Sequence, residues 1–295
     1  MTTYLLTPMK TSRYPVLVLL TALLTLPVLA TVDFHDHIGI QLWSMRAQVK
    51  ADLPGALDWV KAQGIVEVET AGTGNLSVAD FAKLLQDRGL KAISAHIGYE
   101  ALEKDLPGAI QTAKALGAKY VVTAWIPHPK EGLSAELAHT VAANFNKWGA
   151  AFRAEGISYG WHAHGFEFVP FASEGGKTAF DIIVAETKPE NLTLEMDVFW
   201  VFHAGVDPVK LLKQHAARWS FLHVKDIRKG AVTGLSTGGA APIDNVAVGT
   251  GQIDWPAVLQ TAQDVGVQHF FLEDETPTPL VCIPDSLKYL RGLKL

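Results

Sequence analysis

Eight short apolar, β-branched runs alternate with helical patterns along this chain, and that alternation restricts the fold more than any other feature. The runs lie near 38–43, 65–70, 91–97, 120–125, 157–164, 192–200, 219–225 and 269–274. Their nearly continuous hydrophobicity is that of strands buried on both faces. The helices between them have legible ends. Ser77, with Asp80 three residues on, opens one; Val78, Phe81 and Leu85 form its apolar stripe and Gly89 stops it. Ser134 opens another, in which Leu137, Val141, Phe145, Trp148 and Phe152 recur at steps of three and four until Gly156. Asp207-Pro208 is an N-cap followed by a first-turn proline, and Asp254 and Asp285 open the last two helices similarly. Eight strand–helix repeats in 295 residues, 48% of them hydrophobic, suit a single closed (β/α)8 barrel better than an open doubly wound sheet. No GxGxxG follows the first strand, which argues the same way.

Residues 1–30 differ in texture from the rest. Lys10 and Arg13 precede an apolar run from Tyr14 to Ala30, the layout of a secretory signal peptide cleaved after Ala30. Pro15 and Pro27 bracket a core shorter than the ~20 residues of a membrane span. The expected organisation is therefore a leader over 1–30 and a barrel over 31–295, periplasmic or secreted, with no membrane association after cleavage. Losing Lys10 and Arg13 takes the net charge from −5 to −7, and no Lys/Arg cluster remains to meet a nucleic acid. With Cys282 as the single cysteine, no internal disulfide can form.

The strands end in residues that favour a divalent metal. They read WHAHGFEF (His162, His164, Glu167), LTLEMDVFW (Asp197), FLHVKD (His223) and FFLEDE (Glu273). A barrel gathers such strand ends at one mouth. Two Glu, one Asp and one His form an oxygen-rich site suited to one Mn²⁺ or Mg²⁺, with Zn²⁺ or Co²⁺ within the same donor chemistry. Taken singly, each has a plainer reading: Asp197 as a helix cap, His223 as a core histidine, Glu273 as one of a solvated triplet. Their joint appearance at the ends of strands six, seven and eight is what raises them. Strand five offers two choices. Either Glu167 reaches back to the metal, the choice favoured because hard cations prefer carboxylates, or His162 is itself the ligand. Lys225 points inward by alternation and would otherwise be a buried unpaired charge, so it is expected on a substrate oxygen or a carboxylate. Gln41, Trp43, Glu69, His96 and Trp125 end earlier strands and, with His162 and Trp200, are candidates for the substrate pocket. The Gly- and Thr-rich stretch 228–253 has the length of an active-site flap.

In order, HxHxxEF, DVFW, HVKD, GxGxIDW and an apolar-apolar-Glu-Asp strand resemble the xylose isomerase-like TIM barrel superfamily, over roughly residues 36–295. More narrowly the chain is similar to exported bacterial proteins of the sugar phosphate isomerase/epimerase type. The resemblance implies one divalent cation held by Glu167, Asp197, His223 and Glu273, and a small-molecule sugar as substrate. Proton transfer by Glu167, Glu273 and His164 would form an enediolate, with Lys225 steadying the oxyanion. In the epimerase branch the strand-five glutamate sits earlier, near His162; the His-x-His form here is more like the inosose dehydratase and keto-glycoside-processing branches.

The expected activity is thus a metal-dependent isomerase or epimerase of a non-phosphorylated sugar or keto-sugar. The alternatives are a lyase or dehydratase of 3-keto-sugars or keto-glycosides, and a non-catalytic sugar-binding barrel. A DNA-repair endonuclease of the same superfamily would need more histidines and a basic groove. Homo-oligomerisation is left open.

Overall fold

Eight parallel strands close on themselves in the computed structural model of this protein, which describes residues 1, 3, 33–130 and 132–295. The strands are β1 (Ile38–Gln41), β2 (Glu67–Thr70), β3 (Lys91–His96), β4 (Tyr120–Thr123), β5 (Ser158–His162), β6 (Thr193–Asp197), β7 (Trp219–Val224), β8 (Asp226–Ile227), β9 (Asn245–Val246) and β10 (His269–Leu272). Barrel order follows chain order from β1 to β7, then β10, which pairs back onto β1. The short β8 and β9 form a separate antiparallel pair within the long connection after β7. Helices fill the connections between barrel strands, so the fold is the expected (β/α)8 barrel. Contacts divide the chain into Met1–Ala30 and Thr31–Leu295. The expected leader lies, but for Met1 and Thr3, outside the described residues.

Alternation sorts the strand residues into two cores. Val68, Val121, Tyr159, Leu194, Leu222 and Phe270 face outward into the main cluster beneath the helices. Val122, Phe221 and Phe271 form a second cluster inside the barrel, packed by Ile93 and Tyr120. These interior side chains plug the centre, and each buried ring contributes roughly 1.5–3 kcal/mol. Gly39 makes room for the plug, because a Cβ there would lie 2.7 Å from the Phe271 ring and from the Glu67 carbonyl. Below the plug, at the strand starts, Glu67 accepts from His37 at 3.1 Å and from His269 at 2.7 Å. Everything polar above it belongs to the opposite, C-terminal mouth.

The helix ends follow the caps read from sequence. Ser77, Ser134, Asp207 and Asp254 each accept from the backbone N–H three residues on. In the helix Ala135–Ala154, Val141, Phe145, Trp148 and Phe152 are buried, and the three aromatic rings among them pack on Tyr159 and Trp161 of β5. Gly149 lets that helix approach its neighbour, since a Cβ would meet the Asn191 carbonyl oxygen at 1.7 Å. The last helix corrects the sequence reading. It starts at Pro279, not at Asp285, and carries Pro284 in its interior. Pro279 occupies the first turn, where a missing N–H costs nothing, so helix geometry is established before Asp285 is reached.

Candidate metal centre and active site

Strand register assembles the polar end of the barrel. Asp197 of β6 stands opposite His223 of β7, His162 of β5 opposite Glu195 of β6, and Gln41 of β1 opposite Glu69 of β2. Glu273 follows β10 and donates its backbone N–H to Val224 O at 3.3 Å. Period-two alternation turns Glu195 and Asp197 to the same interior side, and His223 and Lys225 likewise.

The histidine rings are held from behind by carboxylates. His162 Nδ1 donates to Glu195 Oε2 at 2.8 Å, and His223 Nε2 donates to Glu69 Oε2 at 2.7 Å. Gln41 Nε2 donates to the same Glu69 oxygen at 2.8 Å. His96 Nε2 bridges Glu69 at 3.0 Å and Glu195 at 3.2 Å. Burial opposes charge on His96, yet the two carboxylates outweigh it and lift this imidazole to about 10. At His223 burial is likewise overcome, by Glu195, Glu273 and Glu69, and its pKa stands well above the usual range.

With those nitrogens committed, His162 Nε2 and His223 Nδ1 face a second group of acids. Asp197 Oδ2 lies 3.8 Å from His162 Nε2 and 3.9 Å from His223 Nδ1, and Glu273 Oε2 lies 3.2 Å from His223 Nδ1. Lys225 Nζ is 3.3 Å from Glu273 Oε2 and 3.9 Å from Asp197 Oδ2. It pairs directly with Glu275 and sits over the Phe199 and Trp200 rings at 5.2 and 5.0 Å. The expectation for Lys225, a buried ammonium engaged by carboxylates, matches this placement.

Asp197 is the telling member. Its Oδ1 accepts from Trp200 N at 3.1 Å, capping the helix Val198–His203, while its fully buried Oδ2 has no hydrogen-bond partner among the described residues. Burial, with Glu273 nearby, pushes this carboxyl up to about 7 in spite of Lys225 and His223. Five carboxylates (Glu69, Glu195, Asp197, Glu273, Glu275) thus face one ammonium and three imidazoles. Leaving a carboxylate so exposed to low dielectric costs several kcal/mol. A divalent cation among His162 Nε2, Asp197 Oδ2, His223 Nδ1 and Glu273 Oε2 would remove that cost, so the residues fit one. Asp197, His223 and Glu273 offer ligand atoms within 4.8 Å of one another. Glu69 and Glu195 then occupy the outer positions that orient ligating histidines in metal proteins.

Glu167 does not join this group. Gly165, at φ 92°, turns the chain out of β5 into the short 3-10 turn Phe166–Phe168. The Glu167 carboxylate folds back onto its own loop and accepts from His164 N at 3.2 and 3.0 Å. It is fully buried, and burial raises it to about 8 against its backbone hydrogen bonds. The strand-five residue brought to the acids is His162, the other choice that the sequence leaves open. Gln41 is also withdrawn: its amide nitrogen serves Glu69, its oxygen accepts from Trp43 N at 3.0 Å, and it is fully buried.

A cavity of about 570 Å³ opens above the group. Trp43, His96, Trp125, His164, Trp200 and Glu273 are among its lining residues, as is Gly238 of the long 228–253 connection. His164 stands between Trp125 and Trp200, with ring separations of 5.4 and 5.8 Å. Burial and the neighbouring His162 keep this imidazole neutral, well below its usual pKa, and its Nδ1 has no partner among the described residues. The connection is anchored by Asp226, whose carboxylate accepts from Ile227 N at 2.8 Å, Gly249 N at 2.9 Å and Gly251 N at 3.0 Å. Glu195 is the site member that candidate selection from sequence passes over, while Glu69, expected at the pocket, stands behind His223 instead. The signal for Glu195 was present, since it alternates with Asp197, but it lies inside β6, behind the loop-facing end.

Comparison with known proteins agrees with this architecture. The sequence model of the xylose isomerase-like TIM barrel family matches residues 57–293. Inosose dehydratase of Clostridium perfringens is 25% identical over 205 residues, covering 63% of this chain and 67% of that protein. A sugar phosphate isomerase/epimerase from Parabacteroides distasonis superposes with a TM-score of 0.72 at 24% identity, over 87% of this chain and 98% of that one. The IolI protein, solved with a bound zinc atom, superposes with a TM-score of 0.63 at 16% identity, over 86% and 95%.

Proposed function

This chain belongs to the xylose isomerase-like TIM barrel family, and from that premise we propose that it is a divalent-metal-dependent lyase of keto-sugars. The observation that carries the reading is a neutral, cavity-lining His164 beside the His162, Asp197, His223 and Glu273 group, with Lys225 alongside. The likeness to an inosose dehydratase supports elimination rather than isomerisation. A bound divalent cation would supply Lewis-acid polarisation of the substrate carbonyl.

The chain's own groups account for the remaining chemistry. The His164 imidazole accepts the proton from the carbon beside the carbonyl, and the C–H pair moves into the ring as an enolate. Lys225, held as ammonium by Glu273 and Asp197, offsets the developing negative charge. The enolate reforms its carbonyl as the β C–O bond breaks, and the imidazolium of His164 returns its proton to the departing oxygen. Trp125 and Trp200 bracket the imidazole. Two imidazole donors in the inner set favour Zn²⁺, Mn²⁺ or Co²⁺ over Mg²⁺.

The test follows the C–H proton by NMR in D₂O with inosose and methyl 3-keto-glucopyranoside, before and after chelation. Metal-dependent formation of an unsaturated ketone, lost in His164→Ala with metal content intact, is the expected result. Deuterium incorporation with every C–O bond retained would replace elimination by isomerisation or epimerisation. Binding with no exchange at all would leave a sugar-binding barrel.

A further inference from the structure

Three more side chains of metal-ligating type meet at the opposite end of the barrel, below the plug of Val122, Phe221 and Phe271. His37 immediately precedes β1, Glu67 is the first residue of β2, and His269 is the first of β10. Ile38 stands opposite Phe270, so the preceding His37 and His269 fall side by side. Alternation turns Glu67 to the same side as Glu69, and His269 to the same side as Phe271. Both histidines aim Nδ1 at one carboxylate, each at its own oxygen: His37 at Oε1, 3.1 Å away, and His269 at Oε2, 2.7 Å away. Their rings stand 5.5 Å apart and nearly perpendicular, at 87°. The His269 ring is fixed by aromatic neighbours, stacked 5.7 Å from Phe221 with Tyr120 edge-on at 5.9 Å. Among the described residues no lysine or arginine pairs with the Glu67 carboxylate, and the two imidazoles alone meet its charge.

We propose that His37, Glu67 and His269 form a second cation site that takes one Zn²⁺ and clasps the barrel where its first and last strands close. One ligand atom from each lies within 4.8 Å of the other two. Two imidazoles and one carboxylate are a zinc donor set that leaves a fourth position for water. The nitrogen donors disfavour Mg²⁺ and Ca²⁺. Entry is from solvent, since the His37 side chain is 36% exposed. Binding must break both histidine–carboxylate hydrogen bonds for only three protein ligands, so the site fills with added zinc and does not retain it through purification. β1 pairs with β10 on one side and β2 on the other. A cation there ties all three strands, and Glu67 and His269 are 202 positions apart. Bound zinc therefore restrains the closure of a very long loop. His269 and Glu273 share β10's course four residues apart, roughly 13 Å at ~3.3 Å per residue, so the two sites have no ligand in common.

The experiment uses the untagged full chain, as the parent and as Asp197→Asn, with ZnCl₂ added and binding followed by native mass spectrometry and calorimetry. The expected result is one further zinc equivalent in each, with a rise in Tm. Introducing His37→Ala or Glu67→Gln should weaken that equivalent at least tenfold and remove the rise. His37→Ala deletes a partly exposed ring and Glu67→Gln keeps the shape, and melts without zinc show that both variants fold. A titration with no saturable equivalent would overturn the proposal and leave a hydrogen-bonded trio. So would an equivalent that survives both variants, which would place the zinc elsewhere, as at His139 beside Glu174 and Glu186. Either failure leaves the lyase reading untouched, because that chemistry sits at the other mouth.

Discussion

Asp197 Oδ2 and His162 Nε2 lie 3.8 Å apart at the ends of adjacent barrel strands, the one without a hydrogen-bond partner, the other turned toward it by Glu195. Two lone-pair atoms facing across that gap are what a cation site needs and what a merely structural ion pair does not produce. Metal removal should therefore destabilise the fold as well as silence it. At a metal concentration near 100 times Kd the holoprotein gains about 2.7 kcal/mol, so chelation should lower Tm by several degrees. Asp197→Asn should abolish stoichiometric metal, read by mass spectrometry, and melt at the same temperature with or without chelator. Unchanged metal content in that variant would place the ion elsewhere.

Glu195 touches the proposed ion only through its ligands, His162 at 2.8 Å and His223 at 3.3 Å. Glu195→Gln keeps the shape but weakens the bond that aims the ring. Loss of such an outer carboxylate typically costs 10–100-fold in metal affinity or activity. Competitive metal titration should find Kd raised in that range, and an unchanged Kd would remove Glu195 from the assembly.

Glu167 titrates out of step with an unfolded chain. Its carboxyl is raised by burial from 4.5 to about 8 in the folded protein. Between those values the folded state holds a proton that the unfolded chain has released, so stability falls as pH rises through the window. Below 4.5 both states are protonated and the penalty vanishes. Glu167→Gln cannot ionise, so its stability relative to the parent should climb between pH 4.5 and 8 and then level off. The ceiling is about 1.4 kcal/mol for each tenfold change in proton affinity, less what the amide loses as acceptor for His164 N. Chemical denaturation at four pH values tests this, and a flat difference would contradict it. Metal content should stay intact in the variant.

Asp226 gathers three backbone N–H groups from the long connection after β7. Asp226→Asn removes one acceptor and brings an N–H against donors. Each buried donor left unpaired costs about 1–3 kcal/mol. Limited proteolysis should cut within 228–253 well before the parent is cut, with a matching fall in Tm.

Much of the site was legible because strand alternation needs no tertiary knowledge. His162, Asp197, His223 and Lys225 face the interior by counting in twos, and apolar flanks show that they lie on buried strands. The caps at Ser77, Ser134, Asp207 and Asp254 were legible for a similarly local reason, since each bond spans three residues. Asp285 misled because a plausible cap says nothing of a helix already running through it.

By itself the sequence determined the barrel, its eight strands, and which face of each strand turns inward, because periodicity and burial are local properties that any pairing must respect. It could not decide between His162 and Glu167. That choice depends on the turn at Gly165, which spends the Glu167 carboxylate on its own backbone. Nor could it bring Glu69 of β2 to His223 of β7, 154 residues apart and 2.7 Å in space. Only barrel closure sets the stagger of one strand against another, and that stagger decides which inward side chains share a level and which ring nitrogens are left to face Asp197.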